Sequence, residues 1–261
     1  MAIVAIIPAR FGSTRLPGKP LSDIHGRPMI QHVYDRAGRA QSVGRVLVAT
    51  DDARIAEVVR SFGGEAVMTS AAHASGTDRL AEAAAGLLAS DIVINVQGDE
   101  PMLDPAAIDA VASAFDDPGV AMATVSLPLR DVADMLSPNV VKVVTDAAGD
   151  ALYFSRSPIP WLRDAGGPAA SAAAAVAKGL ARRHVGLYGY RRDALLRFAG
   201  WPPAPLEAAE GLEQLRALHH GMKIRVVAME GEGGVAVDTP ADLENVRARL
   251  GNAATDRGTL G

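Results

Sequence analysis

Residues Ala2–Pro20 read AIVAIIPARFGSTRLPGKP, an apolar run of strand length that passes directly into a basic, glycine-bearing loop. Near-continuous apolar runs mark strands buried on both faces. Two more follow, Arg45–Thr50 and Asp91–Val96, starting from Ala2–Ile7 as the first. Between them, Pro28–Ala40, Ala53–Phe62 and Thr77–Leu88 repeat apolar residues at helical spacing. Pro28 suits a first helical turn, and Gly63-Gly64 suits a helix stop. This βαβαβ rhythm predicts an α/β fold built on a mostly parallel, Rossmann-like three-layer sheet with right-handed crossovers.

The middle of the chain departs from that rhythm. Val120–Leu127, Val140–Thr145, Ala151–Phe154 and His184–Arg191 read as strands with few helices between them, and Asp146–Asp150 carries a turn signal. A small mixed-sheet subdomain is expected over about 120–200, within a single domain of residues 1–250. Ala165–Ala181 is rich in alanine and glycine, which fits a mobile surface insertion or a short helix. Residues 251–261 read as a disordered tail.

Composition narrows the function. The chain has 261 residues and a formal charge of −4, so nucleic-acid and anionic-membrane surfaces are not expected. It has no cysteine, which removes disulfides, thiolate nucleophiles and Cys-ligated metals and fits a cytoplasmic location. No apolar stretch is long enough to predict a membrane span.

Against that acidic background, Arg10, Arg15 and Lys19 place three positive charges within ten residues. They sit after a buried strand, where ligands bind in parallel α/β sheets. Gly12 and Gly18 permit close backbone approach, and Ser13 and Thr14 offer donors, the combination a triphosphate needs. The loop is not a Walker A motif: five residues separate Gly12 from Gly18, and Pro20 stands where the metal-binding hydroxyl would be.

The third strand delivers Gln97-Gly98-Asp99-Glu100, and Asp99 at its carboxyl end is the leading candidate ligand for Mg²⁺. Glu100 is a neighbouring acid that could also be simply solvated. Asp238 precedes Thr239-Pro240-Ala-Asp242, a helix-start signature, and reads either as part of that start or as a second carboxylate for metal. Ser75-Gly76-Thr77 opens a helix, with Thr77 as the expected cap and the free N–H groups available to a ligand. Glu210, Glu213 and Gln214 fall at i, i+3 and i+4, one polar face if Leu206–Gly221 is a single helix. Such a stripe is either solvated or a polyol contact. Gly231–Ala236 matches the GxGxxA pattern of dinucleotide sites but does not open a helix, so the context is wrong.

Eight segments, in order, carry a resemblance. They are IIPARFGSTRLPGKPL (Ile6–Leu21), VATD (Val48–Asp51), HASGTDRLAE (His73–Glu82), INVQGDEPM (Ile94–Met102), ALYFSRSPIPW (Ala151–Trp161), RHVGLYGYR (Arg183–Arg191), PLEAAEGLEQLR (Pro205–Arg216) and VDTPADLE (Val237–Glu244). Together they resemble the 3-deoxy-manno-octulosonate (Kdo) cytidylyltransferase family over roughly Ala2–Leu250. The resemblance implies a fold of the nucleotide-diphospho-sugar transferase type. It also implies transfer of CMP from CTP to Kdo, a cytoplasmic homodimer and a requirement for Mg²⁺ held by Asp99 and Asp238. Arg10, Ser13 and Lys19 would bind the triphosphate, and the first loop with Ser75, Gly76 and Thr77 would contact base and ribose. Gln97, Arg156, His184, Tyr188, Glu210, Glu213 and Gln214 would surround Kdo. Another acidic sugar (8-amino-Kdo or a sialic acid) as acceptor, or a non-catalytic nucleotide-binding regulator, are the competing readings.

Overall fold

Ile, Val and Ala fill both faces of the first strand, and such a segment is stable only when flanked by other strands and covered by helices. The computed structural model describes residues 1–12, 15–73, 75–231 and 233–258, the last seven by backbone alone. They divide into two compact units, Met1–Asp109 with Gly234–Gly261, and Ala110–Gly233.

In the first unit, β1 (Ile3–Ala9) leads through a short 3₁₀ turn at Lys19–Leu21 to a hairpin of β2 (Asp23–Ile24) and β3 (Arg27–Pro28). Then follow α1 (Met29–Gly38), β4 (Arg45–Thr50), α2 (Ala53–Ser61), β5 (Glu65–Met68), α3 (Gly76–Ala84) and β6 (Ile92–Asn95), and α4 (Pro105–Ser113) begins here and ends past the unit boundary. The strands run in the order β6-β1-β4-β5, all parallel. Ala5, Ile6, Ile7, Leu47, Val48, Val93 and Ile94 are buried in this sheet. Helix α1 turns Met29, Ile30, Val33 and Ala37 inward, a spacing of one helical face. Asp52 caps α2 by accepting from the Arg54 N–H at 2.9 Å, and Gly63 (φ 82°) ends it.

The second unit holds β7 (Met122–Pro128), α5 (Val132–Leu136), β8 (Lys142–Thr145), β9 (Ala151–Ser155), α6 (Pro168–Ala177), β10 (Arg182–Arg191), α7 (Arg192–Gly200), α8 (Pro205–Glu210), α9 (Gln214–His219) and β11 (Ile224–Ala228). Here β7 is central, antiparallel to β10 and parallel to β11, while β8 joins β10 and β9 in antiparallel fashion. The expected mixed sheet is thus present. The chain returns to the first unit for α10 (Pro240–Gly258).

Four readings are decided. Of the two alternatives for Ala165–Ala181, the short helix forms: α6 buries Ala172 and Ala175 against Leu129, Met135 and Ala181, and the small side chains allow that close packing. Leu206–Gly221 is not one helix. Gly211 adopts φ 61° and ends α8, so Glu210 and Gln214 lie on different helices and share no face. Ser75, not Thr77, caps α3, its hydroxyl accepting from Asp78 N–H while Asp78 accepts from Ser75 N–H, each at 3.1 Å. The backbone of α10 continues helically from Gly251 to Gly258, where Ala253-Ala254 favour helix. Residues 259–261 lie outside the described residues.

Candidate active site

The basic loop is shaped by its own backbone. Gly18 N–H bonds Phe11 C=O at 3.0 Å, and Leu21 N–H bonds Gly18 C=O at 2.8 Å. Gly18 reaches φ 70°, where a side chain is strained, and a Cβ there would stand 3.1 Å from the Phe11 ring. The face of that ring also carries the Arg54 guanidinium, 3.5 Å from its centroid. The turn aims Lys19 inward. Ser13 and Thr14 lie outside the described residues.

Lys19 Nζ lies 2.7 Å from Asp99 Oδ2 and 3.2 Å from Asp238 Oδ1, and Arg15 also reaches Asp238 Oδ1, at 3.1 Å. Both acids are held in place by backbone. Val237 N–H bonds Asp99 C=O at 2.8 Å, which lays the two acids side by side. Asp242 accepts from the N–H groups of Asp238 and Thr239, and Thr239 Oγ1 accepts from Asp242 N–H, so α10 starts immediately after Asp238. The two sequence readings of Asp238 are therefore compatible: Thr239 and Asp242 make the helix start and leave the Asp238 carboxylate to the cavity.

That cavity has a volume of about 370 Å³ and belongs wholly to the first unit. Arg10, Arg15, Lys19, Ser75, Gly76, Gln97, Asp99 and Asp238 all line it. Thr77 is buried and is not among the lining residues. Two further lining residues, His73 and Arg79, belong to the segment that opens α3 but were not among the residues expected at the site, a lone His being weak evidence by itself. Arg79 is 4% exposed and pairs with Asp51 at 3.1 Å, with Thr69 Oγ1 as a second partner. Arg79 lies near the start of α3, where a cation opposes the macrodipole, and its pairing with Asp51 is a tertiary contact that no local pattern encodes. His73 Nε2 meets Glu82, whose carboxyl is held below its usual range by the Ser70 N–H and by His73.

The remaining predicted residues, Gln97 aside, lie on the second unit. Glu210 accepts from Ser155 Oγ at 2.7 Å and from Arg156 N–H at 2.9 Å. Burial raises its pKa, but these bonds outweigh burial and keep it low. Arg156 turns its guanidinium back on the end of α8, donating to the carbonyls of Glu210 (2.6 Å), Pro138 (2.9 Å) and Gly211 (3.3 Å). Beneath them lies Lys142, fully buried and unremarked in the sequence, whose ammonium donates to the carbonyls of Ser137, Val140 and Arg156 at 2.9, 2.6 and 2.5 Å. Burial lowers its pKa. Glu213 stands at the head of α9, 3.5 Å from Arg216. Gln214 is buried, and its Nε2 has no hydrogen-bond partner among the described residues.

His184 packs its ring against Phe154 and Tyr188, with centroids at 5.0 and 5.3 Å. Its Nε2 is 3.0 Å from Thr124 Oγ1, a hydroxyl that also lies within reach of the carbonyls of Leu187 (2.8 Å) and Val185 (3.2 Å). Burial pushes the His184 pKa from 6.5 down to about 3, and burial likewise holds Tyr188 well above the usual phenol value. His184 is thus a neutral ring at pH 7 rather than a positive charge. Between pH 6.5 and 3 the unfolded chain takes up a proton that the folded chain refuses, so stability falls as pH drops through this window. The Tm of the native chain should therefore fall more between pH 7 and pH 4.5 than that of His184→Phe; parallel Tm–pH curves would contradict the neutral buried ring.

Four cations (Arg10, Arg15, Lys19 and Arg79) and two carboxylates (Asp99 and Asp238) that face one cavity at the carboxyl ends of parallel strands are the equipment of an α/β nucleotidyltransferase. The profile of the cytidylyltransferase family matches residues 4–224. The chain belongs to that family, and within it to the 3-deoxy-manno-octulosonate cytidylyltransferases. It is 56% identical to the protein of that name from Geobacter sulfurreducens, covering 96% of this chain and 100% of the relative. It is 50% identical to the one from Aliivibrio fischeri, over 96% and 99%. A solved structure of CMP:2-keto-3-deoxy-manno-octonic acid synthetase complexed with CTP superposes with a TM-score of 0.88 at 45% identity, covering 97% of this chain and 100% of that one. A 4-diphosphocytidyl-2C-methyl-D-erythritol synthase from Anaerococcus prevotii shares the fold alone, with a TM-score of 0.60 at 13% identity.

Proposed function

We propose that this chain transfers CMP from CTP to the anomeric hydroxyl of Kdo, giving CMP-Kdo and pyrophosphate for lipopolysaccharide synthesis. The observation that carries the reading is the meeting of Lys19 with Asp99 and Asp238 in a cavity also lined by Arg10 and Arg15. The hydroxyl oxygen attacks the α-phosphorus in line, the bond from the α-phosphorus to the oxygen bridging the β-phosphate breaks, and the hydroxyl proton passes to solvent. Arg10, Arg15 and Lys19 bind the triphosphate and stabilise the charge on departing pyrophosphate. The work of the protein is positioning and charge stabilisation, with no covalent intermediate.

Mg²⁺ fits the donor set. Two carboxylate oxygens already converge on one ammonium, and no cluster of three or more His, Cys, Asp or Glu residues occurs among the described residues. A pair of carboxylates completed by phosphate and water oxygens is the usual Mg²⁺ arrangement. When bound, the ion would supply Lewis-acid polarisation of the phosphate. Asp99 and Asp238 would hold it.

On the second unit, the Gln214 amide is a buried donor available to a sugar hydroxyl or carboxylate, and His184 is a neutral ring. An unmade buried hydrogen bond costs about 1–3 kcal/mol. Gln214→Met should therefore raise Tm by a few degrees at roughly 2–4 °C per kcal/mol. It should also raise KM for Kdo by roughly tenfold or more, at about 1.4 kcal/mol per decade. A Tm gain with unchanged KM would remove Gln214 from the acceptor site. A cytoplasmic homodimer completes the proposal; no helix among the described residues is long and apolar enough to cross a membrane. Mass spectrometry of the product with Kdo, 8-amino-Kdo and sialic acid as acceptors tests the reading. CMP-Kdo as the dominant product is expected, and a preference for another acid would move the specificity.

A further inference from the structure

Lys19 stands where a metal held by Asp99 and Asp238 would have to be, its ammonium within hydrogen-bonding reach of one oxygen of each. We propose that Lys19 is the resident cation of this carboxylate pair in the nucleotide-free protein, and that a divalent cation is admitted only with a triphosphate that draws Lys19 away. The inference rests on the nucleotidyltransferase reading of the site and adds an order of events to it.

The charges support this. Asp99 and Asp238 carry −2, while Lys19 and Arg15, both in ion-pair contact with them, carry +2. A bare divalent ion meets a locally neutral site. To enter, it must displace an ammonium whose side chain is only 14% exposed, and must then sit against the cation it has displaced. A triphosphate reverses both terms. It brings negative oxygens that Lys19 can follow, and it supplies the remaining oxygens a hard divalent cation requires. Arg10 and Arg15 line the same cavity and can receive the phosphates alongside Lys19. Metal and nucleotide are then coupled ligands. Each must strengthen the binding of the other by one common factor.

The test is binding of Mn²⁺ alone to the purified full chain, read from the free-ion EPR signal without nucleotide. The native protein should bind Mn²⁺ weakly. Lys19→Met should bind it roughly tenfold more tightly or better, within the range of ordinary coupling factors. Lys19→Gln provides a second variant should the first fold poorly, with thermal melts reporting folding of both. Asp238→Asn added to either variant should abolish the gain, which locates the ion at the carboxylate pair. Arg10→Met removes one charge from the cavity without an ion-pair contact to either acid, and should leave Mn²⁺ binding within a factor of about two, as expected where direct contact outweighs a solvent-screened charge. The proposal is overturned if the native protein binds Mn²⁺ as tightly as the Lys19 variants, or if Arg10→Met matches them. Because the readout is metal binding without turnover, failure here leaves the reaction assignment intact.

Discussion

Asp99→Asn is expected to lower kcat by about 10²–10³-fold at saturating CTP, Kdo and Mg²⁺, the scale of losing one major charge-stabilising contact in a transition state. The substitution preserves shape and removes one negative charge. Its structural consequences are small, because the contact that aligns Asp99 with Asp238 uses the Asp99 backbone carbonyl. Lys19 also retains Asp238 as a partner. Thermal stability should therefore stay close to native while turnover collapses. Near-normal turnover would remove Asp99 from the chemistry, and a large loss of Tm would assign it to the fold.

Gly98→Ala should reduce kcat/KM by roughly 10²-fold, the scale of a displacement of about 1 Å in a positioned catalytic group. A Cβ at this position would stand 2.9 Å from the Pro8 carbonyl oxygen, closer than atoms tolerate. That oxygen cannot retreat, because Pro8 lies on β1, paired in register with Ala49 of β4. The yielding element is the segment after β6, which carries Asp99 away from Lys19. Overpacking of this kind also destabilises by about 1–3 kcal/mol. Gly86 has open space around it, so Gly86→Ala is the matched control and should be nearly silent. Native activity in Gly98→Ala would show that the close approach is not needed.

The buried parallel core was legible because its strands are unbroken apolar runs, and β4 has the very limits its sequence suggests. The start of α10 was legible because Thr239, Pro240 and Asp242 each suit their position for a local reason. Strand β5 escaped notice: Glu65–Met68 is short, sits at the sheet edge and alternates no apolar face. Low complexity left α6 undecided between helix and insertion, since alanine buries through closeness of approach rather than hydrophobic pattern. The break at Gly211 was hidden by helical spacing that continues across it.

Within the site, the loop cations and Asp99 stood out as charges placed after buried strands. Which cation would meet which acid was not legible. The contacts of Lys19 with Asp99 and Asp238 span 80 and 219 residues of sequence, and no local pattern encodes them. The same holds for Lys142, whose hydrogen-bond partners among the described residues are backbone carbonyls, invisible to any reading of side chains. His184 and Gln214 carried no environment in the sequence; their neutrality and missing partner are properties of burial.

The most direct test of the central claim is pyrophosphate release by the purified protein with Mg²⁺ and each of CTP, UTP, ATP and GTP, with and without Kdo. Release confined to CTP with Kdo is the predicted result. Release from CTP at the same rate without Kdo, or no release from any combination, would contradict it.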